Sequence, residues 1–186
     1  MRTPEKPRRS LLPIRGERRA SFLLNLPPDR RGQIHENDVK SLREFRRRLD
    51  EIFAKDLAKL ARCTADNTRG DSLQFAPANV LDDDPETYWA TDDDIHTPAL
   101  ILEFAQPITF NVVSLREYLP LGQRVDRFAI EFDDGGSWHD WMTASAIGSH
   151  RLLRGPDVTT SRVRLRIVES PVCPAISEWS LFHDVS

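Results

Sequence analysis

The sequence predicts a mainly β protein, an antiparallel β-sandwich or jelly roll preceded by one strand and one long amphipathic helix. Two features carry this prediction. Apolar residues recur at helical spacing before about residue 62, whereas several short apolar runs separated by turn residues follow it without a helical pattern. The 186 residues, of which 39% are hydrophobic and 30% charged, suffice for one domain with a proper core and an additional segment.

The N-terminal part begins without a regular pattern. Residues 1–20 are rich in Arg and Pro, which indicates a disordered or remnant segment, and they contain no apolar stretch of the kind that a signal peptide needs. The apolar run from Phe22 to Leu26 predicts a strand, which Pro27 and Pro28 terminate. Because an isolated strand has no hydrogen-bonding partner, this strand needs a neighbouring one.

A single amphipathic helix is predicted over residues 38–60. Asn37 or Asp38 would cap its first turn, where acidic residues also favour the positive end of the helix dipole. The other faces are highly charged, so the helix needs a partner that buries its apolar stripe. The stripe consists of Val39, Leu42, Phe45, Leu49, Ile52, Phe53 and Leu60.

The strands of the sandwich follow in order. Residues 99–119 contain two apolar runs separated by a Gln-Pro pair, and the segments 124–132, 162–170 and 175–182 supply later strands. The segment 162–170 alternates strictly, which is typical of a half-buried strand with arginines on its outer face. We expect inward-facing side chains at Val125, Phe128, Ile130, Phe132, Val163, Leu165 and Ile167, and outward-facing ones at Arg162, Arg164 and Arg166.

Charge is divided unevenly along the chain. Residues 1–62 hold 17 basic and 9 acidic side chains, a net charge of +8, whereas residues 63–186 hold 9 and 20, a net charge of −11. The basic part lacks interleaved aromatic residues and any recognisable binding motif, so we expect no nucleic-acid partner. Two segments that pair with each other or with a missing neighbour explain the division better. No apolar run is long enough to span a bilayer, and we expect no membrane partner.

The two cysteines, Cys63 and Cys173, are too few for a disulfide framework. They lie near the two ends of the acidic part, and the ends of a domain are often close together. The sequence therefore leaves two alternatives, a single disulfide between them or two buried thiols.

The segment NVLDDDPETYWATDDD, residues 79–94, surrounds a Tyr-Trp pair with six aspartates and a glutamate. Acids in an exposed turn are well solvated, and nothing apolar encloses them, which argues against a catalytic carboxylate pair. Asp82, Asp84 and Thr87 are closely spaced on a flexible turn, as Ca²⁺ prefers, although the loop lacks the Gly and Glu of an EF-hand. Spacing alone leaves a cation site and an Asp-Pro turn open.

Two tryptophans, Trp138 and Trp141, flank a His-Asp pair. Such rings either pack in a core or form a stacking platform for a sugar. Together with His139 and Arg151, which offer polar contacts, they are the candidate ligand-binding residues. The histidines form no metal-spaced pair, and no nucleophile or phosphate-binding motif is present, so we predict no catalytic residue.

Five segments occur in an order that matches one enzyme family. They are FLLNLPPDRRGQIHENDVKSLREFRRRLDEIF, NVLDDDPETYWAT, EYLPLGQRVDRFAIE, VTTSRVRLRIVES and CPAISEW, and the resemblance that they carry covers roughly residues 21–183. The first resembles the last strand, loop and helix of the catalytic barrel in bacterial α-L-fucosidases of glycoside hydrolase family 29. The others resemble the galactose-binding-like domain that follows this barrel, a relative of discoidin and coagulation-factor C-type modules.

The resemblance implies a division of the chain into three parts. Residues 1–20 would be a remnant, residues 21–62 the last strand and helix of a truncated barrel, and residues 63–186 the galactose-binding-like sandwich. A catalytic barrel requires eight strand–helix units and a carboxylate nucleophile at the end of a strand. We therefore expect a C-terminal fragment that hydrolyses no glycoside alone.

The resemblance also implies a structural Ca²⁺ between the loop after the first strand and a glutamate near the end of the chain. The implied ligands in this sequence are Asn79, Asp82, Asp84, Thr87, Ser177 and Glu178, with Asn79 and Ser177 acting through their carbonyls. The family often has Gly where Asp83 stands, and Asp tolerates a left-handed backbone better than most residues.

Three functions follow from the resemblance and remain open at this point. The sandwich would bind a glycan, either a fucoside or a galactoside. Alternatively, it would be a purely structural domain that packs on a catalytic barrel. The third alternative is one half of a split fucosidase, active only with a second chain that carries the barrel. Members of the family are often secreted or periplasmic, and this sequence shows no export signal of its own.

Overall fold

The computed structural model describes residues 24–185, in which one long helix precedes seven strands. The helix is α1 (Glu36–Ile52), and the strands are β1 (Ala61–Ala65), β2 (Trp89–Ala90), β3 (Ala99–Glu117), β4 (Arg127–Asp133), β5 (Trp138–Ser145), β6 (Arg151–Glu169) and β7 (Ala175–Phe182). Short 3₁₀ helices lie in the connections, at Ala58–Leu60, Arg69–Asp71, Leu73–Phe75, Pro77–Leu81 and Leu119–Leu121.

Two long strands, β3 and β6, hold the two layers of the sandwich together. The first half of β3 pairs with β1 and with the second half of β6, whereas the second half of β3 pairs with β7 and with the first half of β6. The register shifts between Glu103 and Ile108, where β3 passes from one layer to the other. Strands β4 and β5 extend one layer, and β2 extends the other. The predicted antiparallel sandwich is confirmed, with one continuous bent strand where the sequence suggested two runs.

The core lies between the two layers and follows the predicted alternation. Of the side chains expected to point inward, all are buried except Phe132, which is partly buried near the end of β4. Trp89 and Trp179 are the largest fully buried side chains. The indole Nε1 of Trp89 donates to the Asn67 carbonyl (3.0 Å), so the ring ties the long connection after β1 to the core.

Helix α1 differs from the prediction at both ends. Its N-cap is His35, whose Nδ1 accepts a hydrogen bond from the amide of Asn37 (3.2 Å), so the predicted caps, Asn37 and Asp38, lie in the first turn. The helix ends at Ile52 because the following chain bonds to β7. Asp56 Oδ1 accepts from the amide of Leu181 (3.0 Å), a tertiary contact that a continuous helix would forbid. Leu60, predicted on the helix stripe, lies in a separate 3₁₀ helix and is 58% exposed.

The apolar stripe of α1 is covered only near its C-terminal end by residues that the structure describes. Ile52 is buried against the outer face of the sheet, in a small cluster with Phe53, Val112, Leu152 and Phe182. The Phe53 and Phe182 rings meet edge to face, with 4.9 Å between their centroids. The stripe residues nearer the start of the helix, Val39, Leu42, Phe45 and Leu49, remain partly exposed.

The strand predicted over Phe22–Leu26 is wrong in its described part, since residues 24–26 belong to no strand. The physical reason is that no strand of residues 24–185 pairs with this segment, and without a ladder partner the backbone amides and carbonyls of a strand stay unpaired. Phe22, Leu23 and residues 1–20 lie outside the described residues. Across residues 24–185, no helix has both the length and the apolar character needed to cross a membrane.

The outer face of β4, β5 and β6 carries a ladder of ion pairs that includes the predicted outward-facing arginines. Glu131 is almost fully buried and accepts hydrogen bonds from Arg164 and from Arg166 (2.9 Å). Burial opposes ionisation of this carboxyl, but the two guanidinium groups outweigh it and hold the pKa of Glu131 below its ordinary value. Arg162 and Arg164 also stack on the Trp138 ring, 5.1 and 4.4 Å from its centroid.

The substitution Gly155→Ala is expected to destabilise the protein by about 1–3 kcal/mol, because the added methyl group overpacks a tight contact. A Cβ here would lie 2.6 Å from the Trp141 ring. That ring is held by a hydrogen bond from its Nε1 to the Pro156 carbonyl (2.9 Å). Urea denaturation measures the change, with Ser161→Ala, an exposed position of the same strand, as the matched control. Equal stability of the two variants would contradict the packing argument.

The substitution Glu131→Gln is expected to lower the free energy of unfolding by about 1–3 kcal/mol at neutral pH, because Arg164 and Arg166 lose their shared carboxylate. A pKa lowered by folding stabilises the protein above the ordinary value of 4.5, and this contribution is lost as the pH falls through the folded value. Wild type and variant should therefore converge in acid-titrated denaturation curves. The control is Glu169→Gln, which removes an exposed pair with Arg127 (3.3 Å). A difference that is independent of pH would contradict the assignment to Glu131.

Candidate functional site

Five connections between strands meet at one end of the sandwich, which we call the loop end: residues 66–88, 91–98, 118–126, 146–150 and 170–174. Direct contacts join them, including the hydrogen bond from Ser170 Oγ to the Arg124 carbonyl (2.6 Å). The loop end therefore combines residues that lie far apart in the sequence.

Glu117, the last residue of β3, organises the loop end. It is 4% exposed, and its Oε1 accepts from the amides of Arg124 (2.7 Å) and Val125 (2.8 Å). Its Oε2 accepts from the amide of Gly148 (2.5 Å) in the connection before β6. A carboxylate is the side chain that accepts several amides at once, so Glu117 fixes the positions of two connections.

Three partly buried aromatic rings form a row across the loop end. The ring of Phe75 lies 5.4 Å from that of Tyr88, and Tyr88 stacks on Tyr118 at 4.1 Å with an angle of 12° between the rings. Leu73, which is 88% exposed, and Leu119 are close to Phe75 and Tyr118 in the sequence and add exposed apolar side chains. The row places flat apolar surface next to solvent, which is the kind of surface on which a sugar ring stacks.

A charged pair borders the aromatic row. Arg69 contacts Asp93 (2.8 Å) and lies over the Phe75 ring, 6.0 Å from its centroid. The hydrogen bond from Arg69 holds the pKa of Asp93 below its ordinary value, so both groups stay charged near neutral pH. Asp92 supports the turn behind them, since its carboxylate accepts from the amide of Gly70 (2.8 Å) and from the side chain of Asn67 (2.9 Å).

Cys173 lies beneath this pair and forms no disulfide. Its carbonyl and its Sγ both accept from Nη1 of Arg124, at 2.9 and 3.0 Å, and Arg69 approaches the Sγ at 3.7 Å. Cys63 is also a free thiol, and burial raises its pKa to about 12. Of the two alternatives that the sequence left open, the structure has the free thiols.

The loop end has the chemical groups that carbohydrate recognition requires, because ring faces, a guanidinium and a carboxylate lie next to one another. Sequence analysis missed these residues. They come from four connections between residues 69 and 173, and no local spacing relates an arginine in one turn to a tyrosine after a distant strand. In the sequence, Leu73 lies close to the Arg-Gly-Asp turn at Arg69–Asp71, but only the structure shows that this leucine is exposed.

The predicted ligand residues are not brought together. Trp138 lies under the arginine ladder on the outer face of the sheet, and His139 is exposed next to Phe132, with 5.7 Å between their rings. Trp141 is buried in the core, and Arg151 is buried at the start of β6. Trp138 and Trp141 lie three residues apart on one strand, so their side chains point to opposite faces of the sheet. Ligand contact at these four positions stays a prediction.

The acidic loop is held by its own hydrogen bonds. Asp82 Oδ1 accepts from the Asp84 amide (2.9 Å), and Asp82 Oδ2 accepts from the Thr87 hydroxyl (2.7 Å). Asp84 Oδ1 accepts in turn from the amide of Glu86 (2.9 Å). Asp83 has φ of 64°, a left-handed conformation, at the position where the family that this sequence resembles often has Gly.

The other implied metal ligands have contacts of their own. The Asn79 side chain donates to the Tyr88 carbonyl (3.1 Å), and the Ser177 hydroxyl donates to the Arg116 carbonyl (3.4 Å), and neither bond involves the carbonyl through which the residue would bind. Glu178 forms an ion pair with Arg116 (2.9 Å). In the described part of the chain, no group of three or more Asp, Glu, His or Cys side chains is placed to hold a metal ion. Ca²⁺ also takes hydroxyl and carbonyl oxygens, so binding of Ca²⁺ stays a prediction.

Known proteins are similar to this chain in both sequence and fold. The family model described as F5/8 type C domain matches residues 62–180. α-L-Fucosidase 1 of Arabidopsis thaliana is 37% identical over 171 residues, which cover 90% of this chain and 34% of that protein. A GH29 fucosidase of Ruminococcus gnavus, solved in complex with fucose, has a TM-score of 0.83 at 28% identity, and the match covers 90% of this chain and 34% of that one.

A smaller protein shares the fold alone. A chitosan-binding module of a Paenibacillus chitosanase/glucanase has a TM-score of 0.61 at 16% identity, over 68% of this chain and 97% of the module. The chain spans about a third of the length of the fucosidases that it matches, and its likeness to them extends beyond the sandwich. With its sandwich matched almost from end to end, the chain belongs to the F5/8 type C domain family and is homologous to α-L-fucosidases of glycoside hydrolase family 29.

Proposed function

We propose that this chain is the accessory part of an α-L-fucosidase and that its sandwich binds a glycan, a fucoside or a galactoside, at the loop end. The observation that carries the proposal is the row of aromatic rings at Phe75, Tyr88 and Tyr118 beside the Arg69–Asp93 pair. Rings stack on the apolar face of a sugar, and the charged pair offers a bidentate donor and an acceptor for its hydroxyls.

Hydrolysis requires more than this chain provides. A glycosidase needs two carboxyl groups on either side of the scissile bond, one of them with a raised pKa. The buried carboxylates of the described residues all serve the fold. Glu117 accepts backbone amides, Glu131 is shared by two arginines, and Asp184 pairs with Arg154 (2.7 Å). These engagements support a chain that has no hydrolytic activity alone.

Docking on a catalytic domain is a second function that a specific observation favours. The apolar stripe of α1 remains partly exposed over Val39, Leu42, Phe45 and Leu49, while the end of the helix is anchored to the sandwich. The fucosidases that resemble this chain are about three times as long. We propose that this stripe packs against a catalytic barrel, supplied by the same polypeptide or by a separate chain.

Glycan binding is tested by calorimetry with methyl α-L-fucoside and methyl β-D-galactoside. The substitution Tyr118→Ala is expected to weaken binding about tenfold, because it removes the ring at one end of the aromatic row. Trp138→Ala, on the outer face of the sheet, separates this proposal from the prediction of ligand contact at Trp138, and under this proposal it should bind as the wild type does. Loss of binding in Trp138→Ala alone would move the site to the outer face. Absence of wild-type binding to both sugars and to a glycan array would overturn the proposal.

The docking role is tested with the paired substitution Leu42→Glu and Phe45→Glu. Both side chains are partly exposed in this chain, so Tm should change by only about 2 °C. In contrast, Ile52→Glu places a charge in a buried cluster and should cost about 2–5 kcal/mol. Co-purification with the separately expressed catalytic portion of the Arabidopsis relative should fail for the paired variant. Unchanged co-purification would contradict docking through this stripe.

The proposed lack of hydrolytic activity has its own test. Release of p-nitrophenol from p-nitrophenyl α-L-fucoside by this chain alone would contradict it.

A further inference from the structure

Acidic side chains greatly outnumber basic ones at the loop end. The stretch 66–98, which includes two of its five connections, contains nine acidic side chains and one basic one, a net charge of −8. The excess does not depend on the acidic loop. When Asp82, Asp83 and Asp84 are left out, six acidic side chains against one basic one remain. The other three connections add one acidic and one basic side chain, so the loop end as a whole is negative.

Several of these acids lie close to the aromatic row. Asp93 contacts Arg69 at 2.8 Å, and Arg69 in turn lies over the Phe75 ring, 6.0 Å from its centroid. The amide of Gly70, in the same turn as Arg69, donates to the Asp92 carboxylate (2.8 Å). Further acids follow directly in the sequence or come shortly before a ring of the row. The exposed ones are Asp71, Glu86, Asp93 and Asp94.

The arginines of the loop end are engaged with acceptors of the protein itself. Arg69 pairs with Asp93. Arg124 donates from Nη1 to the Cys173 carbonyl (2.9 Å) and from Nε to the Leu121 carbonyl (3.3 Å). Proteins hold carboxylate and sulfate groups mainly with guanidinium and ammonium groups. An anionic ligand would therefore compete for both arginines while it is repelled by the surrounding acids.

We propose that the loop end selects neutral glycans and rejects anionic ones, such as uronates and sulfated or sialylated chains. This inference rests on the proposed glycan binding at the loop end and adds the charge class of the ligand. The aromatic row and the Arg69–Asp93 pair supply the attraction, and the surrounding acids supply the discrimination. Each exposed acid repels an anion only weakly through water, but several acids of one sign act together.

Calorimetry with matched sugars tests this selection. Methyl α-L-fucoside and methyl β-D-galactoside are each compared with the analogue that carries a carboxylate at C6. At an ionic strength of about 0.02 M, we expect the anionic analogue to bind about three- to tenfold more weakly than its neutral partner. The difference should shrink at about 0.5 M, where the screening length falls to about 4 Å.

A triple substitution removes charge from the loop end and leaves the proposed ligand contacts in place. It combines Asp71→Asn, Glu86→Gln and Asp94→Asn, all at exposed positions. Asn suits the left-handed backbone at Asp71, where φ is 49°. The triple variant should bind the neutral sugars as the wild type does. It should also lose most of the discrimination against the anionic analogues, because the repelling charges are gone.

The matched control makes the same change in net charge away from the loop end. It combines substitutions of three exposed acids on α1, in the turn between β4 and β5, and on β5: Glu44→Gln, Asp134→Asn and Asp140→Asn. This variant should discriminate as the wild type does, because exposed charges far from the ligand are screened.

The outcomes separate this inference from the proposed function. If none of the four sugars binds, glycan binding at the loop end fails, and the charge selection fails with it. If a neutral sugar binds and its anionic analogue binds equally well or more tightly, only the charge selection is overturned. It is also overturned if the anionic analogue binds more weakly but the difference is unchanged by salt and by the triple substitution, since the cause is then shape.

Discussion

The structure depends on the antiparallel pairing of β3 with β6, which continues through both layers of the sandwich. Each strand spans 19 residues, and each bends where the pairing register shifts. Because both strands belong to both layers, the layers cannot separate without breaking one continuous ladder. Strand β6 also places Gly155 against the Trp141 ring. Close packing at this position therefore requires a residue without a side chain.

This pairing also decides where the functional groups lie. The second half of β3 ends at Glu117, and this single carboxylate holds the connections on either side of it through backbone amides. Of the connections that form the candidate site, the one that carries Tyr118 is therefore positioned by a buried acceptor. Such support gives irregular loops a defined geometry, which a binding site needs before its ligand arrives.

Charge is used in the same way at two distant places. On the outer face, Glu131 is neutralised by the arginines of β6, and at the acidic loop Lys59 and Arg116 pair with single carboxylates. The Lys59–Asp83 pair joins the basic part of the chain to its acidic part. The uneven charge of the sequence thus reflects pairing between segments in at least this contact, as the sequence analysis favoured over a nucleic-acid-binding arm.

The sequence by itself determined the sandwich, the existence of the helix and most core positions. Strict alternation and helical spacing are local properties, and they decide which face of a strand or helix can be buried. The end of α1, the full role of Glu117 and the aromatic row were decided only by the tertiary structure, since each depends on a partner at least 30 residues away. Trp138 and Trp141 show the limit of local reading. Side chains three apart on a strand point to opposite faces, and only the pairing of β5 with β4 decides which of those faces is the core.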